Sequence, residues 1–258
     1  MKIQTKLKAI ALNTFKEAVR NKIFYLLIAF GVFFAMSSKL ASVLTIGNEA
    51  KVLKDVGLAS IHFFSVLIAV FTGINLVYKE IEKKTIYNIL SKPISRSSFI
   101  IGKFIGLAFT LLVALVSMAV IFFFFLFIST GELDSGILIF FFLLYMELLI
   151  ITAISLLFSS FSTPILSSIF TICIYLIGET LWTFNLFKDF LKTPVDKFAA
   201  YFLYYILPNL EKFNVKSAVV MKTGIGSFHV LNVVLYTAVY ITAVLVLAIL
   251  IFNKREFK

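Results

Sequence analysis

The sequence predicts an all-α integral membrane protein: six transmembrane helices, an N-terminal interfacial helix, a cytoplasmic amphipathic helix, and short re-entrant or surface helices in the last outer loop. Three observations predict it. Hydrophobic residues make up 61% of the 258 and charged ones 14%, whereas a soluble domain is about half apolar and a quarter charged. No protein core absorbs that excess, so lipid must. Six apolar runs are each long enough for a helix to cross about 30 Å of hydrocarbon. Lysines and arginines gather in alternate flanks of those runs, as the positive-inside rule requires.

Residues 1–22 precede the first run. Ile3, Leu7, Ile10, Phe15 and Ala18 fall close to one helical stripe, with the lysines and Asn13 largely elsewhere, so this segment is expected to lie on the inner leaflet as an interfacial helix. A solvated basic tail is the plainer alternative. The basic lead is long for a secretory signal and further spans follow, so the first span is expected to stay uncleaved.

The spans are expected at residues 23–44, 58–78, 104–128, 137–158, 165–182 and 230–252. Lys2, Lys6, Lys8, Lys16, Arg20 and Lys22 lead the first; Lys79, Lys83, Lys84, Lys92, Arg96 and Lys103 fill the second connection; Lys254, Arg255 and Lys258 close the chain. The third connection carries Glu132 and Asp134 and no base. Both termini are therefore expected in the cytoplasm of a multi-pass plasma-membrane protein. The outer loop, residues 183–229, runs against this with six lysines, a charge that long loops tolerate. Its apolar piece before Pro208 is too short to span and reads as a re-entrant or surface helix. No repeat of 20 to 50 residues and no soluble domain are visible, so residues 1–258 read as one transmembrane domain.

The second connection, residues 79–103, reads KEIEKKTIYNILSKPISRSSFIIGK. Ile81, Thr85, Ile89 and Lys92 share a helical face, with Ile86 and Leu90 beside them, which predicts a short amphipathic helix. Pro93 ends it, and Ser95 or Ser97 caps the helix that becomes the third span. Such a helix fits a groove in another protein or the lipid surface.

The order of Phe15, Glu17, Arg20 and Lys22, then K-E-I-E-K-K-T at the close of the second span, L-S-K-P-I-S-R, G-K entering the third, and L-P-N-L-E at residues 207–211 resembles the permease subunits of type-2 ABC transporters. Glycine is commoner in that family where Lys84 stands, which leaves the local turn geometry open. The resemblance implies that residues 79–92 form a coupling helix docked on a separate ABC ATPase subunit, with Glu80, Glu82, Thr85, Leu90, Lys92, Pro93 and Arg96 as the coupling positions. It also implies a second permease copy or paralogue, and export as the usual direction. ATP and Mg are expected on the partner subunit and no cofactor on this chain, which has no G-x-x-x-x-G-K-[ST] loop. The alternative is an ATP-independent secondary transporter, disfavoured by the absence of evident paired halves.

Gly102 and Gly106 form a G-x-x-x-G that permits close helix packing, within the chain or in a dimer. Glu147 lies near the middle of the fourth span, where a carboxylate is costly, and is the candidate for the substrate path against a hydrogen-bonded packing role. His62, Glu179 and His229 fall near outer span ends and are a conceivable metal set, but sequence separation says nothing of convergence and no metal is assigned. The runs 122–125 and 140–142 read as lipid-facing phenylalanine bulk, with a greasy portal as the alternative. Cys173 lies within an apolar run, so no disulfide framework exists. An intramembrane hydrolase is disfavoured by the lack of G-x-S and H-E-x-x-H motifs and by two histidines that both lie near span ends. The net charge of +11 is explained by lipid headgroups and topology, and nucleic acid is not an expected partner.

Overall fold

Only structures that satisfy their own backbone hydrogen bonds cross lipid, and among the described residues the computed structural model contains helices and no strand. Residues 3–43, 49–82, 95–131, 134–183 and 194–254 are described. The helices are α1 (Ile3–Val19), α2 (Lys22–Val43), α3 (Glu49–Glu82), α4 (Arg96–Thr130), α5 (Gly136–Ser159), α6 (Pro164–Thr180), α7 (Pro194–Ile206), α8 (Lys216–Val220) and α9 (Ser227–Lys254), with 3-10 turns at Leu181–Thr183 and Leu210–Phe213. Six of them, α2 to α6 and α9, are long and apolar enough to cross a membrane.

The chain runs up and down, so one end of the bundle, here the near end, holds α1, the starts of α2 and α4, and the ends of α3 and α9. The centre is α3 and α5: 67% of the apolar stretch of each is buried, against 22% in α6 and α9. That difference separates helices that pack mostly on protein from helices that leave most of their surface for lipid. The phenylalanine runs are split accordingly. Phe122, Phe140 and Phe141 are buried in the core while Phe124 and Phe142 are exposed, which corrects the reading of both runs as lipid-facing bulk. Periodicity decides the matter, because consecutive residues on a helix point in different directions.

Two helices begin well before their apolar runs. α3 starts at Glu49, against an expected span start at residue 58; α4 starts at Arg96, where the Ser95 cap predicts it, ahead of the apolar run that begins at residue 104. An ion pair from a buried lysine accompanies each extension. Lys54 pairs with Asp134 at 3.0 Å and Lys103 lies 3.8 Å from Glu17, so both lysines enter the bundle without an isolated charge. Ser95 caps α4, accepting from the Ser98 N–H, and Asn21 Oδ1 accepts from the Ile23 N–H at the start of α2. At the opposite end of α4, Gly131 closes the helix with φ +70°, and its N–H bonds to the Phe127 carbonyl. That left-handed cap favours glycine.

The N-terminal helix is seated on protein. A Cβ on Gly102 would stand 2.8 Å from the Ile10 side chain, and one on Gly106 would stand 2.6 Å from the Ala11 carbonyl oxygen and from Thr14. The G-x-x-x-G of α4 is thus the bed of α1 in this chain, and Phe15 meets Phe109 edge to face at 4.8 Å. The connection between α6 and α9 contains α7, which ends before Pro208, and the two short helical pieces that follow it.

Candidate functional site

Three elements carry ionisable groups to one point inside the bundle. Glu147, midway along α5, is 2% exposed and His62 of α3 is 5% exposed. His62 Nε2 stands 3.0 Å from Glu147 Oε1 and 3.7 Å from Glu179 Oε1, which comes from the last turn of α6. Charged groups at this depth are costly unless they meet partners, and here each side chain supplies the others. Tyr175, one turn before Glu179, sets its ring edge to face against His62 at 6.3 Å.

The fourth member arrives from outside the spans. Lys216, the first residue of α8, places Nζ 3.2 Å from His62 Nδ1. An ammonium has no acceptor, so Nδ1 accepts from Lys216 and the ring carries its proton on Nε2, directed at Glu147. The segment L-P-N-L-E fixes the loop that delivers the lysine. Gly178 on α6 is where it presses in: a Cβ there would meet the Pro208 carbonyl oxygen at 2.6 Å. Leu210 and Phe213 are buried, and the Asn209 N–H donates to the Tyr236 hydroxyl at 2.8 Å.

His229 is not in the cluster. Its Nε2 lies 3.0 Å from the Lys212 carbonyl oxygen, so of the expected set only His62 and Glu179 converge, and Glu147 joins them. Sequence reasoning missed Lys216. The signal was available as the excess of lysine in a loop that should be poor in it. Lys212 lies over the Tyr236 ring at 4.5 Å, and Lys222 acts on Asp134. Among the described residues, Lys212, Lys216 and Lys222 of this loop thus make defined contacts or act on a partly buried partner.

Asp134 sits where α5 begins. Burial works to raise its pKa, but hydrogen bonds from Lys54 and the Gly136 N–H, with the charges of Lys54 and Lys222, outweigh it and hold the carboxyl below its ordinary value.

At the near end, Arg96 donates to the carbonyl oxygens of Phe252 and Asn253 at 3.0 and 2.9 Å. These carbonyls belong to the last described turn of α9, toward the negative end of its dipole. Phe99 stacks on Phe252 at 5.7 Å beneath it. Glu80 and Glu82 fall on the last turn of α3. α3 continues through residue 82 without a break, so the start of the expected 79–92 helix is a continuation of the second span. Thr85, Leu90, Lys92 and Pro93 lie outside the described residues.

The description "ABC-2 family transporter protein" matches residues 8–257. The chain belongs to that family. No curated protein matches it. As an ABC-2 family member it is a membrane component of an ABC transporter, and the near-end joints among α1, α4 and α9 lie within the matched residues.

Proposed function

We propose that this chain is the transmembrane subunit of an ATP-driven exporter, and that ATP hydrolysis on a separate ABC ATPase reaches it through the segment after α3. The family match over residues 8–257 carries the proposal. In this reading both termini and residues 79–103 face the cytoplasm, as the basic flanks demand. The three engaged loop lysines remove part of the objection to that orientation. Glu80, Glu82, Thr85, Leu90, Lys92 and Pro93 form the docking surface. Arg96 acts within the chain, tying the start of α4 to the end of α9, so motion of the docked segment is passed to two spans. The exposed apolar faces of α2, α6 and α9 fit lipid and a second permease copy.

Co-purification with the ATPase encoded beside it tests the proposal. A detergent-stable complex that the Leu90→Glu variant loses is the expected result. No complex with any ABC ATPase would sink it. The buried acid cluster on α3, α5 and α6 favours the second reading, a secondary transporter, which predicts substrate uptake into proteoliposomes lacking any ATPase.

A further inference from the structure

The structure assigns a divalent transition-metal site to His62, Glu147 and Glu179, from which Lys216, hydrogen-bonded to the other ring nitrogen, excludes the metal by holding His62 in the wrong tautomer. The inference is independent of what the transporter carries.

Geometry comes first. The three ligand atoms lie within 4.8 Å of one another. Tetrahedral ligands about 2.1 Å from a zinc ion stand about 3.4 Å apart, and the separations of 3.0 and 3.7 Å around His62 Nε2 bracket that value. The two carboxylates therefore need to close by no more than about 1.4 Å. One imidazole and two carboxylates, with a fourth position open, suit a borderline ion such as zinc better than magnesium or calcium, which take shells of oxygen. Glu179 Oε1 is buried and has no hydrogen-bond partner, so a ligand atom is already desolvated and directed at the site.

Charge points the same way. When both carboxylates are ionised and the imidazole is neutral, the ligands carry two negative charges in a low-dielectric setting; the Lys216 ammonium beyond Nδ1 offsets one and leaves one over, whereas a divalent cation balances both. The ring tautomer makes metal binding and the Lys216 contact exclusive. Metal on Nε2 moves the ring proton to Nδ1, which then faces the Lys216 ammonium, donor against donor. Lys216 must withdraw, and its flexible stem on the five-residue α8 lets it do so. Binding of the ion therefore releases one attachment of the outer loop.

Trp182 is the sole tryptophan and lies in the turn that follows Glu179. The purified full chain, in metal-free buffer, is titrated with zinc chloride while Trp182 fluorescence is followed. Bound zinc is counted by mass spectrometry after gel filtration. One zinc per chain, saturable, is expected, with affinity falling at least about tenfold in Glu147→Gln and His62→Gln and rising in Lys216→Met. His229→Gln should leave it unchanged. Absence of saturable binding to the unaltered chain would overturn the site, leaving the spare negative charge to a proton. Binding that survives His62→Gln but is lost in His229→Gln would overturn it as well, as would weaker binding in Lys216→Met. Far-UV circular dichroism of each variant separates loss of the site from loss of the fold.

Discussion

The near end of the bundle and its interior handle charge in opposite ways. At the near end each cation crosses a single seam: Lys103 reaches Glu17, whose side chain is 36% exposed, and Arg96 reaches the end of α9. Those contacts sit beside tight apolar packing, with α1 on glycine and Phe99 on Phe252. In the interior, four ionisable groups from α3, α5, α6 and α8 share one small volume and depend on one another. A joint that borders water tolerates loss of a partner, because solvent replaces it. A cluster enclosed by protein has no such substitute.

The largest expected effect follows from that dependence. Glu147→Leu should cost about 3–5 kcal/mol, the usual penalty for breaking a buried pair, and His62→Leu/Glu147→Leu should recover part of it because two apolar groups leave less charge stranded. Thermal unfolding of the detergent-solubilised chain measures both. If the double variant is as unstable as the sum of the singles, the interdependence is absent and the comparison fails.

A smaller effect tests the packing side. Gly106→Leu should cost about 1–3 kcal/mol by overfilling the seam under Ala11 and Thr14, with α1 becoming accessible to protease. Gly131→Ala, where a Cβ meets nothing within 4 Å, should cost only the left-handed strain of about 1–2 kcal/mol and leave α1 protected. Equal proteolysis of the two variants would show that the glycine bed does not hold α1.

The smallest effect is confined to acid. The folded pKa of Asp134 lies below its ordinary value, so its contribution is fully present above the unfolded carboxylate pKa, about 3.9. It is lost as pH falls through the lower folded value. The stability difference between the native chain and Asp134→Asn should be flat from neutral pH down to about 5 and shrink below about 4. A difference already changing near neutrality would assign that titration to another group.

Much of the architecture was legible because lipid imposes long apolar runs and basic flanks on any chain that crosses it. The six spans, the capping Ser95 and the unusual Glu147 could all be read from local pattern. The start of α3 was misjudged, since Lys54 looks like a flank until Asp134 is found opposite it, whereas the start of α4 followed from Ser95. The cluster itself was half visible. His62, Glu147 and Glu179 each stood out by residue type and depth, but their meeting depends on how three helices rotate against one another, and no local period encodes that. Lys216 was hidden because a lysine in a loop is normally solvated.

α3 joins places that other helices keep apart. It runs without interruption from Lys54 through His62 to Glu82, and the distance from Glu82 to His62 is about 30 Å at 1.5 Å per residue. A stiff rod of that length is a lever. A pivot of about 5° at one end sweeps the other through about 2.6 Å, nearly the whole length of the His62–Glu147 bond. A rotation of a few degrees is thus enough to make or break the polar contact at its arm.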